Sequence, residues 1–388
     1  MPSAFCPAVG GVEELTAQLA RALQREGDLV EVWAPLYSHL ELPTQENWGG
    51  LTIRRFPMPL PPAKLSHVAT AVPTSARGLR ELGRAVAAFN PDVLHVQCFG
   101  PNGAYATTLS ALSGVPLVVT LQGETTMDDH DIYEHSRTLQ VALRLAFRRA
   151  AAVTACSAFT LADAQRFGLA PAMGRVIYNG VAMNEECDTD GAPLPTNDFV
   201  VTPPFARYVL GLGRVVKKKG FDLLIRAFAR LGAPDDVGLV IGGEGAALVE
   251  LRRLVSDLGL DGRVWFPGRL ARDKVAQLMK GAELFVMPSR VEPFGIVVLE
   301  AWRAGTPVVA TARGGPPEFV EEGVNGLLVD PLDTTALSDA MASLLQDPER
   351  QAELGRAGRD KAALFSWDVI AKHYRSVYID ASSKRRRR

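Results

Sequence analysis

Residues 285–305 read FVMPSRVEPFGIVVLEAWRAG, and the interpretation of the whole chain turns on them. The run ELFVM at 283–287 has the content of a buried parallel strand, Pro288 and Pro293 break it into a loop, and helical spacing then continues to Gly305. A strand, a loop and a helix are therefore expected in succession. Glu292 stands in the loop and Glu300 about two turns into the helix, so both carboxylates can serve whatever rests at the strand's carboxyl end. The backbone amides of Phe294, Gly295, Ile296 and Val297 open that helix and offer donors, with the positive end of its dipole, to a phosphate. Carboxylates accept from sugar hydroxyls, so phosphate donors beside hydroxyl acceptors describe a nucleotide-sugar site.

An arbitrary pair of glutamates is more often a loop acid and a helix-surface charge. Here Glu300 falls inside an apolar run, with Ile296, Val297, Val298 and Leu299 before it and Ala301 and Trp302 after it, where an acid needs a partner. The E-x7-E element from Glu292 to Glu300, continued by EAWRAGTPVVATARGGPPEFVEEGVNGLLV at 300–329, resembles the large retaining glycosyltransferase family 4. The resemblance extends over most of the chain. It implies an α/β protein of the GT-B type: two Rossmann-like domains with parallel sheets facing a central cleft, and a C-terminal helix crossing back to the first domain.

Composition agrees with two domains. At 388 residues, 47% hydrophobic and 22% charged, the chain can bury a large core but is long for one domain. A formal net charge of -1 gives no global attraction to nucleic acid or to an anionic membrane. Cys6, Cys98, Cys156 and Cys187 lie far apart with no C-x-x-C spacing; small core residues are one reading among others, and a reduced, cytoplasmic protein is expected. No apolar run reaches the ~18 residues of a spanning helix and the start lacks signal-peptide character, so stable membrane insertion is not expected.

The first domain is expected at 1–190. After a short strand at 1–5, the loop CPAVGGVE at 6–13 resembles the family's glycine-rich loop, in which Gly10 and Gly11 let the backbone approach a donor phosphate; a helix should run from 12 to 25. Strands are expected at 30–35, 51–56, 92–97, 116–120 and 152–157, and helices at 74–88 and 158–167. His95 lies near the end of its strand, where the family has a substrate-side loop, and a satisfied core histidine is the alternative. Where many family members have His-Gly, this chain has Gln122-Gly123; glutamine cannot titrate, so only hydrogen bonding carries over. RVIYNGV at 175–181 resembles the motif that closes the first domain, and a hinge is expected within 184–205.

The second domain is expected at 191–366, with 367–388 returning to the first. YVLGLGRVVKKKG at 208–220 reads as a strand, a glycine turn and a basic loop. A dinucleotide fingerprint would need a third glycine where Val216 stands, so a nicotinamide cofactor is not expected. The resemblance instead makes Arg214 and Lys219 the residues that neutralise the donor pyrophosphate, and sets the nucleobase beside Arg269 and Leu270. Glu300 would hold the ribose hydroxyls and Glu292 the sugar's. The basic tail at 384–388 reads as a solvated terminus rather than a nucleic-acid site.

The implied reaction is transfer of a hexosyl group from a UDP-sugar to a hydroxyl with retention. No metal and no cofactor are required, since Arg214, Lys219 and the helix terminus at Gly295 can stabilise the departing diphosphate. On the acceptor side, Glu124, Asp128, Asp129, Asp131 and Glu134 fall within 122–134 with no Lys or Arg among them, which suits an amine-bearing acceptor as well as it suits a solvated helix start. TLQGETTMDDHDIYEHS at 120–136 also resembles the corresponding part of glycosyltransferases from aminoglycoside antibiotic pathways, which implies an aminocyclitol such as 2-deoxystreptamine, or its pseudodisaccharide paromamine, bound by His95, Gln122, Gly123, Glu124 and Asp128. The rivals are a neutral or lipid-linked glycan acceptor, a nucleotide-sugar epimerase and a non-catalytic nucleotide-binding module.

Overall fold

The computed structural model describes residues 1–5, 10–37, 40–59, 68–127, 132–183 and 202–386. The glycine-rich loop at 6–9, Asp128 and most of the expected hinge therefore lie outside the described residues, as do Cys6 and Cys187. The chain divides into two compact units, Met1–Gly180 with Trp367–Arg388, and Val181–Ser366.

In the first unit, Pro2 pairs with Gln97 in parallel as a single bridge, and the elements that follow are α1 (Gly11–Arg25), β1 (Glu31–Pro35), β2 (Gln45–Trp48), β3 (Leu51–Phe56), α2 (Val68–Phe89), β4 (Leu94–Gln97), α3 (Pro101–Ser113) and β5 (Leu117–Leu121). Then come α4 (Glu124–Met127), α5 (Ile132–His135), α6 (Arg137–Arg149), β6 (Ala152–Ala155), α7 (Ala158–Gln165) and β7 (Gly174–Val176). The strands form two groups, β1-β3-β2 and β4-β5-β6-β7, parallel except for the antiparallel pair β2–β3. Strand β2, QENW, was not expected, because a short polar edge strand has no apolar run to betray it. Its signal was the Gly49-Gly50 turn, where both residues take the positive φ of a tight hairpin (52° and 80°). Helix α2 starts before Pro73 rather than after it: the proline removes one intrahelical bond, and the helix continues through it.

The second unit holds β8 (Arg207–Leu212), α8 (Phe221–Leu231), β9 (Val237–Gly242), α9 (Leu248–Asp257), β10 (Val264–Gly268), α10 (Arg272–Gly281), β11 (Leu284–Met287), α11 (Ile296–Ala304), β12 (Val308–Thr311), β13 (Leu327–Val329), α12 (Thr334–Leu345) and α13 (Pro348–Ala362). Its sheet is parallel throughout, in the order β10-β9-β8-β11-β12-β13. Every residue of β9, β11 and β12 is buried, as expected of strands covered on both faces. Leu224 and Phe228 of α8 and Leu337 and Met341 of α12 pack with Leu239, Ile241 and Val286 in the core of this unit. Succession runs outward from β8 to β10 on one side and then reverses to β11 on the other. The β8/β11 boundary is thus the switch point, where parallel sheets of this kind open a crevice at their carboxyl edge.

The chain ends in α14 (Trp367–Arg386), which belongs to the first unit and contacts α1. It extends beyond residue 379, where the sequence reading ended it, since neither Gly nor Pro occurs after Trp367 to stop it.

Candidate functional site

Two loops meet at the switch point. The loop after β8 runs through Arg214 into a 3-10 turn at Lys217–Lys219, and Gly220 follows with φ 69°. A Cβ at Gly220 would lie 2.0 Å from the carbonyl oxygen of Pro288, so only glycine lets this loop touch the one after β11 backbone to backbone. The second loop is fixed from its other side as well. Glu292 bridges to Gly314, whose φ is 114° and whose Cβ would lie 2.0 Å from the Glu292 carbonyl oxygen.

Side chains lock the same junction. Arg290 donates to both carboxylate oxygens of Asp222 at 2.7 and 2.6 Å and to the carbonyl of Lys217 at 2.7 Å, while its backbone amide donates to the carbonyl of Lys218. Burial alone would raise the Asp222 carboxyl, but the Arg290 contacts prevail and hold it below the usual range. With the loops so held, the ammonium of Lys219 donates to Glu292 Oε2 at 2.6 Å, and the hydroxyl of Ser289 donates to the same oxygen at 2.9 Å. The side chains of Lys219 and Glu292 are only 18% and 8% exposed, so this is a largely desolvated ion pair. Two of the three residues expected to do the chemistry are thereby brought together. Arg214 is exposed, one residue beyond Gly213, on the same loop as Lys219.

The amino end of α11 lies next to the pair. Gly295 is its N-cap with φ 93°, Ile296 and Val297 form its first half-buried positions, and Phe294 is buried against Phe319. Glu300 is half-buried and lines a shallow cavity with Val275, Met279, Lys280 and Arg303. Burial holds Arg272 below its usual pKa while the charge of Glu300 opposes that shift, which gives Glu300 the cationic neighbour its apolar run demanded. Arg269 is exposed after β10, and Leu270 is half-buried close to Gly242 at the end of β9. In the first unit, Gly10 and Gly11 are exposed at the start of α1. Among the described residues, no group of three or more His, Cys, Asp or Glu side chains could hold a metal ion.

Two acceptor-side expectations are corrected. His95 contacts Thr120 Oγ1 through Nε2 and Tyr378 Oη through Nδ1, both at 2.7 Å, so both ring nitrogens are spent on joining β5 and α14. Burial pushes its pKa well below 6.5, which fixes it as a neutral packing histidine. Glu124 turns inward, each oxygen accepting from a backbone amide, Phe99 at 2.5 Å and Gln122 at 2.6 Å. It therefore braces the exits of β4 and β5 rather than presenting a carboxylate to an amine, and burial of the carboxyl raises its pKa to about 7. Gly123, φ 88°, starts the turn into α4. Gln122 sits in an amide cluster that the sequence did not reveal. It donates to Gln97 and Asn179 at 3.1 Å each and accepts from Asn179 at 2.8 Å. Nor were Ser289 and Arg290 anticipated, although both stand in the motif between Pro288 and Glu292.

Two family models match, Glycosyl transferases group 1 over residues 201–361 and Glycosyl transferase 4-like domain over residues 10–180. Among curated relatives, D-inositol 3-phosphate glycosyltransferase of Acidothermus cellulolyticus is 32% identical across 98% of this chain and 88% of its own length. Alpha-D-kanosaminyltransferase of Streptomyces kanamyceticus is 30% identical across 77% of this chain and 78% of its own length. The lipopolysaccharide core biosynthesis glycosyltransferase LpsE of Rhizobium meliloti is 36% identical, but over 52% of this chain and 56% of that protein. Among solved structures, Anabaena HepE in complex with UDP and glucose superposes with a TM-score of 0.72 at 23% identity, covering 97% of this chain and 98% of that one, which shows a shared GT-B fold.

Proposed function

This chain is a glycosyltransferase of group 1, a hexosyltransferase that draws on a nucleotide sugar, and from that premise we propose that its donor is a UDP-sugar and its acceptor an aminocyclitol-type hydroxyl. The observation that carries the donor side is the Lys219–Glu292 pair at the β8/β11 switch point, adjoining the amino end of α11. An ammonium and a helix terminus meet the leaving diphosphate, and a carboxylate within 2.6 Å of that ammonium meets the transferred sugar. Arg214 adds a second cation on the same loop, Glu300 takes the ribose hydroxyls, and Arg269 and Leu270 flank the base. UDP is supported as the nucleotide by its presence in the HepE complex. Transfer proceeds with retention: the leaving phosphate oxygen takes the acceptor's proton on the face from which it departs. Charge neutralisation by Arg214, Lys219 and α11 makes a divalent metal unnecessary.

The acceptor reading is supported by the acidic composition of 122–134 and by the kanosaminyltransferase relative. With Glu124 turned inward, Asp128 is the residue proposed to meet the amine. A relative named for inositol 3-phosphate supports a second reading, a phosphorylated cyclitol. One experiment separates these. UDP-GlcNAc, UDP-glucose and GDP-mannose are each incubated with 2-deoxystreptamine, paromamine, inositol 3-phosphate, a neutral disaccharide or no acceptor, and nucleotide release is followed. Release of UDP that depends on the amine-bearing compounds is expected. Release with inositol 3-phosphate alone selects the second reading, and epimerised nucleotide sugar without an acceptor overturns the transferase assignment.

A further inference from the structure

We infer that Ser289 is a positioning residue, one that decides which oxygen Glu292 offers to the donor sugar; the inference rests on the donor reading given above. Ser289 is fully buried between Pro288 and Arg290, in the loop that both the Gly220 approach and the Arg290–Asp222 pair hold still. A serine hydroxyl has one proton to donate, and a buried serine commonly spends it on a nearby backbone carbonyl. This one goes to Glu292 Oε2, the oxygen that also takes the ammonium of Lys219. Among the described residues no protein donor reaches Oε1. The two donors thus fix the carboxylate's rotation and leave Oε1 as the acceptor for a substrate hydroxyl.

The two donors are not equivalent. Lys219 reaches Glu292 on a four-carbon stem and carries three donors, so a bound diphosphate draws its charge away from Oε2. Ser289 sits three residues from Glu292 on the same rigid loop and has no second use for its proton. When the diphosphate arrives and the lysine is shared, the serine keeps the carboxylate from turning after it. Ser289 therefore acts on the sugar's contact and not on the nucleotide's.

The test is a binding cycle with UDP and UDP-GlcNAc as probes, run by calorimetry on the full chain as wild type, Ser289→Ala, Glu292→Gln and the double variant. Ser289→Ala removes one atom from a buried site and adds none, and its UDP affinity reports whether the fold is intact. The expected result is UDP affinity within about twofold of wild type and UDP-GlcNAc affinity weakened roughly tenfold or more, the effect of deleting a hydrogen bond to a charged group. In the Glu292→Gln background the serine substitution should then change UDP-GlcNAc affinity by less than about twofold, because coupled residues are not additive. Equal weakening of both ligands, or a full serine effect in the Glu292→Gln background, makes Ser289 a packing residue and overturns the inference alone. If Glu292→Gln by itself leaves the ratio of UDP-GlcNAc to UDP affinity unchanged, the assignment of Glu292 to the donor sugar fails, and this inference fails with it.

Discussion

At the carboxyl edge of the second unit's sheet the polar groups are mostly charged, and they meet where the strand order reverses: Lys219 and Glu292 with the hydroxyl of Ser289, braced by Arg290 and Asp222. At the carboxyl edge of the first unit's sheet they are mostly neutral and bonded to one another, as Gln122 to Gln97 and Asn179, His95 to Thr120 and Tyr378, and Glu124 to two amides. The contrast is between polar groups kept for a ligand and polar groups spent on the fold. Removing a group of the first kind should lower turnover even where the protein stays folded, and removing one of the second kind should cost stability while turnover well below the thermal midpoint stays that of wild type.

The sharpest test of that division is Lys219→Ala. Deleting one preorganised charge at a developing anion costs about 2.7–4 kcal/mol, so acceptor-dependent release of UDP should fall roughly 100-fold or more, read well below the thermal midpoint because the substitution also leaves the buried Glu292 without its ammonium partner. Turnover near that of wild type would remove Lys219 from the leaving-group role and erase the contrast.

Glu124 tests the other side through pH. Its carboxyl titrates near 4.5 when unfolded and at about 7 when folded, because burial disfavours the charge. Between those values the folded chain holds the extra proton, so the contribution of Glu124 to unfolding free energy falls as pH rises, by roughly 3 kcal/mol across the window. His95, held low by burial, pulls the opposite way below about pH 6.5, so the measurement must compare wild type with Glu124→Gln. Denaturant titrations from pH 4.5 to 7.5 should show the variant gaining on wild type as pH rises. Parallel curves would mean that Glu124 is ionised in the folded protein across that range and available to a cation.

Arg290→Ala is expected to act between these extremes. It frees the turn at Lys217–Lys219 and leaves Asp222 without its bidentate partner. Misplacing a catalytic group by a fraction of an ångström reduces rate without abolishing it, so a loss of about tenfold in turnover is expected, with UDP still bound. An unaffected rate would show that the glycine contacts hold the loop by themselves.

How far the sequence reveals each region follows from the same contrast. The β11 strand, Glu292, the α11 terminus and Glu300 could all be read from residues 283–305, because an acid inside an apolar run and a proline-bounded loop are local signals. Lys219 is set apart from Lys217 and Lys218 in its basic loop by the family resemblance and not by composition. Its pairing with Glu292, 73 positions away, depends on β8 lying beside β11, which spacing alone does not determine. The first unit was legible as strands and helices but not as a site. Gln97 and Asn179 are unremarkable singly, and their cluster with Gln122 has meaning only once the fold brings these residues together. Glu124 was misjudged because composition cannot tell an acid facing solvent from one turned onto the backbone.

The smallest expected effect belongs to Tyr378→Phe, which bears on how the first unit spends its polar groups. Tyr378 lies on α14 and reaches His95 Nδ1 at 2.7 Å, while Tyr374, one turn earlier, has its ring 5.4 Å from the imidazole. Phenylalanine keeps the ring and removes only the hydroxyl, so packing is preserved and one buried imidazole nitrogen loses its partner. The loss should be about 1–2 kcal/mol of stability, the usual consequence of leaving one buried polar atom unsatisfied. Neutral imidazole is already the favoured form, so the loss should persist unchanged from about pH 8 upward, where the His95 imidazole is neutral in both the folded and the unfolded chain. Acceptor-dependent turnover should match wild type at temperatures well below the midpoint. If the hydroxyl instead proves necessary for turnover while stability holds, then the His95–Tyr378 pair is presented to a substrate, and the first unit's strand ends are as much a site as those of the second.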